Sequence, residues 1–422
     1  MRWSLPAQVL PSSYDLPSHH RRRGPNALSS FLSLTGALTT IYLVAYTYYH
    51  YVSSRDPTSY FFDKTHAYKL KYSVHREAQA DAFIASIDAD AIIPKVGSSP
   101  PRVCVGIATV LRRGRQYVST TVGSLLEGLS AAQRSTMFLN VLIAHSDPAK
   151  HPNANDVWMQ TLADRVLKYN QDGKEFEQIL KWEDGGWYRN KTIFDYTYLL
   201  KDCYDTGAQY IAMFEDDTLA ARGWYGNALT ALEEVSTQME AQTASRWAYL
   251  RLFYVEDLLG WNSEQWLTYL FWSLTAWTVA TAGMLYARHI NVRYFNCLPQ
   301  RAIVLLSTFF TALYITLFFM AGRQTVAPIA TGIQKMNKYG CCSQALVFPR
   351  EIVPIILERS DLTTDWLVDM MIEQISDKEQ LERWVTVPAL FQHIGTTSSK
   401  GYGFDDNARE LWNFRFEDHK IP

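Results

Sequence analysis

Three consecutive carboxylates, Glu215, Asp216 and Asp217, follow the apolar segment QYIAMF at positions 209–214. A short apolar segment of this kind predicts a buried strand, so three like charges meet at its end. A divalent cation explains the arrangement, because Mn²⁺ and Mg²⁺ bind carboxylate oxygens and take ligand phosphates at their other positions. The alternative is a solvated acidic turn, and we interpret the three residues as a metal–diphosphate site.

The direction of the side chains divides these residues by role. Successive side chains of an extended segment point to opposite sides, which separates Glu215 and Asp217 from Asp216. We predict Glu215 and Asp217 as metal ligands and Asp216 as an acceptor of hydrogen bonds from sugar or ribose hydroxyls. His393 in LFQHIG is predicted as a further metal ligand, and a hydrogen-bonded structural role is its alternative.

Further candidates for substrate binding lie around the segment GGWYRN. Lys191 and Asp195 fall in the first turns of the helix predicted after it; Lys191 is predicted to meet a phosphate, and a solvated helix start is the alternative. Asn190 begins a glycosylation sequon beside this region, where we expect little or no glycan. Three tryptophans are predicted either to stack on sugar faces or to pack in a core: Trp187, Trp224 and Trp366.

The elements that must position these residues alternate between strand and helix. RVCVGIATV and FLNVLIAH predict strands, and apolar stripes over 118–129 and 193–203 predict the helices between them and QYIAMF. This alternation implies parallel strands with right-handed crossovers, and ligands of such sheets bind at the carboxyl ends of the strands. Two further strands and two further helices are predicted for RWAYLRLFY, SQALVFP, EIVPIILE and DWLVDMMIEQI.

Three runs of the chain contain no Asp, Glu, Lys or Arg: 27–49, 266–287 and 302–322. Each approaches the length of about 20 residues that a helix needs to cross a bilayer. A cleaved signal peptide is the alternative for the first run, which is too long for one, and a buried hairpin of a soluble core is the alternative for the other two. We therefore predict three transmembrane helices.

Basic residues set the predicted orientation, because basic flanks stay in the cytosol. Arg21, Arg22 and Arg23 precede the first run, and Arg288, Arg293 and Arg301 lie between the second and third, whereas Arg323 is a mild exception. The predicted organisation is a cytosolic tail (1–26), a transmembrane helix (27–49), a lumenal stem (50–100), the first part of a lumenal domain (101–264), two transmembrane helices (266–287 and 302–322) flanking a cytosolic loop (288–301), and the second part of that domain (323–422).

Composition narrows the class of partner. A net charge of −2 gives no reason to expect nucleic acid, and 19% charged with 14% aromatic residues favours a membrane or a carbohydrate surface. Five cysteines are too few for a disulfide-stapled module. Cys104 and Cys203 are predicted to be buried, while a vicinal disulfide and two free thiols are equally open for Cys341 and Cys342.

The chain resembles the post-GPI-attachment GalNAc transferase family, and more distantly N-acetylglucosaminyltransferase IV. The resemblance rests on VGIATVLRRGRQYVSTTVGSLLEGL, NKTIFDYTYLLKDCYDTGAQYIAMFEDD, GCCSQALVFP, TDWLVDMM and ALFQHIGTTSSKG, on their order, and on the two apolar runs inserted between them. It implies an α/β fold of the GT-A (Rossmann-like) type, split by a two-helix transmembrane insertion and preceded by an N-terminal transmembrane helix.

The resemblance also implies an activity. Members add GalNAc, from a UDP-sugar and with inversion, to the mannose core of GPI anchors in the Golgi membrane, with Mn²⁺ or Mg²⁺ as the cofactor. It implies that Thr109 and Val110 contact uracil and ribose and that Ser343 and Gln344 bind substrate, with strand packing as the alternative for Thr109 and Val110. GPI glycans lie at the bilayer surface, where an extra pair of spans would hold the active site.

Inverting transfer needs a general base away from the metal motif. TTDWLVDMM offers Asp365 and Asp369, which are four residues apart and would share one face of a helix. Asp365 is the first candidate because the preceding threonines place it in the first turn, and Trp366 beside it can stack on the acceptor. Helix capping is the alternative for Asp365, and a solvated helix face is the alternative for Asp369.

Two rival functions remain open from the sequence. The first is an N-glycan branching N-acetylglucosaminyltransferase, which the resemblance disfavours because those enzymes have a single span. The second is a non-catalytic lumenal scaffold or sugar-binding receptor, for which an intact acidic triplet has no use. The donor sugar and the linkage depend on the shape of the pocket, which the sequence does not define.

Overall fold

The computed structural model describes residues 26–88, 95–97, 100–241, 246–338, 340–361, 366–396 and 411–421, and Asp365 and the predicted tail up to residue 25 lie outside them. The described part of the chain contains ten strands: β1 (Val103–Thr109), β2 (Met137–Ile143), β3 (Arg165–Leu167), β4 (Tyr210–Glu215), β5 (Thr218–Ala220), β6 (Trp247–Arg251), β7 (Gly332–Lys335), β8 (Ala345–Pro349), β9 (Glu382–Val387) and β10 (Phe391–His393).

The α-helices of the same described ranges are α1 (Ala27–Val52), α2 (Lys64–Ala67), α3 (Tyr72–Ala85), α4 (Val118–Leu126), α5 (Ala131–Ser135), α6 (Val157–Leu162), α7 (Phe176–Gly185), α8 (Tyr188–Asp205), α9 (Trp224–Glu240), α10 (Trp266–His289), α11 (Gln300–Met320), α12 (Arg323–Val326), α13 (Val353–Arg359) and α14 (Val368–Lys378). The chain forms two compact units, one from the segments up to Tyr46 and Leu270–Ile315, the other from Thr47–Tyr269 and Thr316–Pro422.

The first unit consists of helical segments of α1, α10 and α11. Its apolar contacts centre on Ile303, Leu306 and Phe310, against which side chains of α1 and α10 pack. Two polar pairs also join α10 to α11, since the Trp277 indole donates to Thr308 over 2.9 Å and the hydroxyls of Thr281 and Ser307 are 2.8 Å apart.

Two of these helices, α1 and α11, are long and apolar enough to cross a membrane. Helix α10 has a comparable length but is not among them, because its tryptophan, tyrosine and threonine residues are less apolar than leucine and isoleucine. None of the residues of α10 is buried, and Trp272 and Val279 are each more than 60% exposed. The predicted span at 266–287 therefore stays a prediction, whereas α1 and α11 fit a membrane protein.

The second unit is an α/β domain built on an eight-stranded mixed sheet with the order β3-β2-β1-β4-β8-β6-β9-β7. Strands β1 to β4 pair in parallel, as the strand–helix alternation predicts. Strand β8 runs antiparallel to both β4 and β6, which the prediction of parallel pairing did not include. A small second sheet pairs β5 with β10.

Helices cover both faces of the large sheet and bury its apolar side chains. The core on one face includes Val122 and Leu125 of α4 and Leu232 of α9. The core on the other face includes Leu199 of α8 and Ile372 of α14, with further side chains from α7 and α13. Because both faces are buried, the strands are near-continuous apolar runs, which is why they were recognisable in the sequence.

The strand order creates a crevice at one point of the sheet. The chain proceeds from β1 outward through β2 and β3 and then returns to the other side of β1 as β4. Between β1 and β4 the direction of winding reverses, and ligands of open α/β sheets bind outside the carboxyl ends of the strands at such a switch point. Thr109 ends β1 and Glu215 ends β4, so both lie at this place.

A disulfide between Cys104 and Cys203 joins β1 to α8, and both cysteines are completely buried. Their burial was predicted, but the bond was not. The predicted stem also contributes to the domain, because α3 packs against α4 and its buried Arg76 donates to the carbonyls of Ser124 and Ala220.

A buried carboxylate anchors the C-terminal segment of the second unit. Glu256 is 1% exposed and accepts a hydrogen bond from the backbone N–H of Arg415 over 2.9 Å. Burial raises the pKa of Glu256 to about 7, against the opposing effects of the backbone N–H groups of Arg415 and Phe414 and the charge of Arg415, and Asp56 raises it slightly.

We expect the Glu256 carboxyl to make the domain less stable as pH rises. Because its folded pKa exceeds the ordinary value, folding favours the protonated form, and that stabilisation is lost between about pH 4.5 and about pH 7, at a cost of up to about 3 kcal/mol. Glu256→Gln keeps an oxygen for the Arg415 N–H but cannot ionise, so its melting temperature should exceed that of the wild type at pH 8 and match it at pH 5. The same difference in melting temperature between the two proteins at pH 5 and at pH 8 would contradict this.

Candidate functional site

The acidic motif lies at the switch point of the sheet. Glu215 is the last residue of β4, and Asp216 and Asp217 form the tight connection to β5, where they are 4% and 5% exposed. The hydroxyl of Thr109, at the end of β1, donates to Asp216 Oδ2 over 2.7 Å. The structure therefore brings together two predicted substrate-binding residues from neighbouring strand ends.

Arg112, which the sequence analysis missed, neutralises part of this motif. Its guanidinium forms an ion pair with Asp216 and lies 3.0 Å from Asp217 Oδ2. Burial opposes the charged form of Arg112, but the two aspartates outweigh it and raise the pKa of the guanidinium. The run VLRRGR directly after β1 was the available signal, because parallel neighbours β1 and β4 end at the same edge of the sheet.

His393 reaches the motif through the small sheet. Strand β10 pairs with β5 so that His393 stands opposite Thr218, and His393 Nε2 lies 3.4 Å from Asp217 Oδ2. Gly395 follows, and a Cβ atom at this position would be 2.1 Å from Asp217 Oδ2. The close approach of the backbone to Asp217 therefore requires glycine.

The electrostatics differ between the two predicted carboxylate ligands. Burial disfavours ionised Asp217, but the charges of Arg112 and His393 outweigh burial and hold its pKa below the ordinary value. Burial also lowers the pKa of His393, but Asp217 outweighs it and the net direction is upward. For Glu215, burial and the charge of Asp217 raise the pKa to about 7 against the hydrogen bond from Ser343.

The side chains of Glu215, Asp217 and His393 are of the types that bind a divalent cation. Asp217 Oδ1 and His393 Nδ1 are buried and have no hydrogen-bond partner, so the site contains ligand atoms that nothing else satisfies. Two carboxylates and an imidazole suit Mn²⁺. The ligand atoms of Glu215, Asp217 and His393 are not gathered within 4.8 Å of one another, however, because Glu215 turns to Ser343 and Arg112 supplies the positive charge instead.

The segment before β8 borders the motif from the other side. Ser343 Oγ donates to Glu215 Oε1 over 2.6 Å, and the Gln344 carbonyl accepts from the Glu215 N–H over 3.0 Å. The buried Gln344 Oε1 has no hydrogen-bond partner. Both predicted substrate-binding residues therefore contact or border the acidic motif.

Lys191 and Asp195 form a second buried polar cluster at the end of β2. Lys191 Nζ is 2.9 Å from Asp195 Oδ2, 2.8 Å from the Tyr169 hydroxyl and 2.7 Å from the Ala144 carbonyl. Burial raises the pKa of Asp195 despite the opposing charge of Lys191. Neither residue is the solvated helix start that was the alternative, and Tyr169, which completes the cluster, was missed because it lies in a loop.

The remaining candidates have different surroundings. Val110 is half-buried after β1, and so is Trp366. Trp224 is a core residue, because its ring packs edge-on against Phe214 and its indole donates to Leu125, whereas Trp187 is 61% exposed.

The helix expected over TTDWLVDMM begins later than predicted. Helix α14 starts at Val368 with Leu367 as its N-cap residue, and Asp365 lies outside the described residues. Asp369 occupies the first turn instead, and its Oδ2 accepts from the backbone N–H of Cys342 over 2.9 Å. Its negative charge also contributes to the raised pKa of Glu215, which puts Asp369 near the acidic motif.

The chain combines an α/β domain that has buried acidic residues at its switch point with helices that are apolar enough to cross a membrane, as expected of a membrane-associated enzyme. A family model described as GPI-N-acetylgalactosamine transferase PGAP4 matches residues 103–392, which is more than half of the 422 residues. The chain belongs to this family, as its sequence motifs indicated. It is therefore a membrane-associated glycosyltransferase with a GPI-anchor glycan as its acceptor. No curated protein matches the chain.

Proposed function

We propose that this chain transfers N-acetylgalactosamine from UDP-GalNAc to the mannose core of GPI anchors, with inversion, in the Golgi membrane. The observation that carries the proposal is the motif Glu215–Asp217 at the carboxyl end of β4, next to the end of β1. A scaffold would gain nothing from three adjacent carboxylates, two of them buried, at a switch point, and the family match disfavours an N-glycan branching transferase.

The same proposal includes a GT-A fold. The parallel half of the sheet, β3-β2-β1-β4, has the strand order of a nucleotide-binding half-domain, and the acidic motif follows its fourth strand. The small sheet of β5 and β10 then brings a histidine from the C-terminal part of the chain to the motif. We infer that the uracil and ribose of the donor lie over Thr109 and Val110, where β1 ends.

The donor diphosphate would be held at the acidic motif. Glu215, Asp217 and His393 would bind Mn²⁺ or Mg²⁺, which supplies charge neutralisation for a departing diphosphate. Arg112, already at Asp216 and Asp217, can carry a share of the same neutralisation when the carboxylates turn to the cation. Asp216 keeps its hydrogen bond from Thr109 and can accept from a ribose or sugar hydroxyl.

The acceptor needs a carboxylate that removes its proton. An acceptor hydroxyl attacks the anomeric carbon, the bond from that carbon to the diphosphate oxygen breaks, UDP departs, and the hydroxyl proton passes to the base. We assign this role to Asp369, because it lies in the first turn of α14, where the helix N-terminus favours a negative charge. Asp365 is the second candidate.

The test is a transfer assay on the purified full chain in detergent. UDP-GalNAc, UDP-GlcNAc and UDP-galactose are offered with Mn²⁺, each with a GPI glycolipid and with an N-glycan acceptor, and the labelled product is identified by mass spectrometry. We expect GalNAc on the GPI mannose core. Transfer to the N-glycan alone, or no transfer from any of the UDP-sugars, would contradict the proposal.

We also propose that α10 and α11 form a hairpin that splits a lumenal catalytic domain in sequence, with the N-terminus in the cytosol. Arginines flank both helices on the loop 288–301, and positive charges of short loops stay cytosolic. The exposed apolar side chains of α10 are suited to lipid.

For the topology, we expect a tag inserted after Asn291 to be reached by protease in cells whose plasma membrane alone is permeabilised. A tag after Pro422 should be protected under the same conditions and cleaved once the Golgi membrane is opened with detergent. The control is a tag at the N-terminus, which should behave like the tag after Asn291. A protected tag after Asn291 would show that the spans are assigned wrongly.

A further inference from the structure

A vicinal disulfide lies in the turn that precedes β8. Cys341 and Cys342 are bonded to each other, and Ser343, the next residue, donates to Glu215 of the acidic motif over 2.6 Å. The disulfide ring is therefore adjacent in the chain to Ser343, whose side chain contacts the predicted metal ligand Glu215. Cys342 is buried, whereas Cys341 is half-buried and can meet a ligand.

Three backbone polar groups of this turn are engaged by the protein. Arg251 donates to the carbonyls of both Cys341 and Cys342, and Asp369 accepts from the Cys342 N–H over 2.9 Å. Arg251 is completely buried and is itself held by Glu373, 3.1 Å away. With these groups satisfied, the turn has mainly its sulfur atoms and β-carbons left for a ligand, and these form a polarisable apolar surface.

The position of the ring relative to Asp369 identifies which ligand would use it. The two sulfur atoms and a carboxylate oxygen of Asp369 all lie within 4.8 Å of one another. A hydroxyl that delivers its proton to Asp369 therefore belongs to a sugar whose ring is in reach of the disulfide. Sugars combine hydroxyl edges with C–H faces, and a C–H face suits the polarisable apolar surface of a disulfide.

We propose that the Cys341–Cys342 ring is a sugar-binding surface of the acceptor site, against which the C–H face of the acceptor mannose packs while its hydroxyl turns to Asp369. This rests on the proposed function, because it takes Asp369 as the base. The oxidising lumen maintains the bond. The surface would distinguish acceptors and leave the donor, which is held by the acidic motif, unaffected.

The experiment compares the wild type with Cys341→Ala/Cys342→Ala in detergent. We expect the KM for the GPI acceptor to rise about tenfold or more, with little change in the KM for UDP-GalNAc or in the slow hydrolysis of UDP-GalNAc without acceptor. Melting temperatures of both proteins show whether the variant is folded. Cys297→Ala, which removes the cysteine that belongs to neither disulfide, should leave every constant unchanged.

Reduction supplies an independent measurement that needs no substitution at the turn. Tris(2-carboxyethyl)phosphine gives two electrons to the disulfide and breaks the S–S bond, and one water supplies the two protons of the resulting thiols and the oxygen of the phosphine oxide. Treatment should raise the acceptor KM of the wild type and have no further effect on Cys341→Ala/Cys342→Ala. Peptide mass spectrometry before and after treatment confirms which cysteines were bonded.

Three outcomes would overturn the proposal. The first is an unchanged acceptor KM in both the double variant and the reduced protein. The second is a pair of free thiols in the protein as purified, and the third is stoichiometric zinc, since two thiolates and the Asp369 carboxylate would then be metal ligands. If the wild type neither hydrolyses UDP-GalNAc nor transfers it, the proposed function has failed instead.

Discussion

Asp217→Ala is expected to abolish sugar transfer, with a loss of about a thousandfold or more in kcat. The variant removes a carboxylate whose Oδ1 is buried without a partner and whose Oδ2 lies between Arg112 and His393. A cation bound there would stabilise the departing diphosphate by several kcal/mol, and about 4 kcal/mol corresponds to a thousandfold in rate. The measurement is the initial rate of transfer to a GPI acceptor at saturating UDP-GalNAc.

The variant should remain folded, because Arg112 keeps its ion pair with Asp216 after Asp217 is removed. Titration with Mn²⁺, followed by the electron paramagnetic resonance signal of the free ion, should show one site in the wild type and none in the variant. Asp205→Ala is the control, because Asp205 is a surface carboxylate paired with Lys201 and should leave rate and binding unchanged. Undiminished turnover in Asp217→Ala, or full wild-type activity in excess chelator, would refute a metal role.

The position of the acidic motif was predictable because its causes are local. An apolar strand ending in three carboxylates is visible in QYIAMFEDD, and strand–helix alternation predicts that strand ends lie at one edge. The hydrogen bond from Thr109 to Asp216 is the direct consequence. The contact of Arg112 with the acidic motif follows from the same reasoning, because a basic run after β1 must meet an acidic run after its parallel neighbour. The sequence analysis did not predict that β4 is this neighbour of β1.

His393 was predicted as a metal ligand, but the strand pairing that brings it close to Asp217 was not predicted. This approach depends on β5 and β10, each three residues long, which pair across more than 170 residues of sequence. Strands this short have no recognisable periodicity. The bond from Cys104 to Cys203 has a similar explanation, since both residues were expected to be buried but only the packing of α8 on β1 brings them together.

The start of α14 shows where local reasoning was wrong. The threonines before Asp365 looked like the beginning of a helix, and a helix from there would place Asp365 and Asp369 on one face. The helix starts at Val368, and the charge in its first turn belongs to Asp369. Asp369 also binds the Cys342 N–H, a long-range contact that no sequence periodicity predicts and that gives this carboxylate a structural role beside any catalytic one.

These two roles of Asp369 can be separated by a pair of substitutions. Asp369→Asn retains an oxygen that accepts from the Cys342 N–H, so the turn and the disulfide keep their support, but it cannot take up a proton. Asp369→Ala removes both the hydrogen bond and the base. If Asp369 is the base, both variants should lose about a hundredfold or more in kcat, because general bases contribute at least that much.

UDP-GalNAc affinity and hydrolysis of the donor in the absence of acceptor should be close to wild type in Asp369→Asn, since the acidic motif is intact. The pH profile of kcat/KM should also lose its acidic limb, which reports the ionisation of the base. Asp365→Asn is made in parallel: a fall of the same size there, with Asp369→Asn active, would move the assignment to Asp365. A near-normal rate in Asp369→Asn together with a poor acceptor KM in Asp369→Ala would mean that Asp369 only positions the Cys341–Cys342 turn.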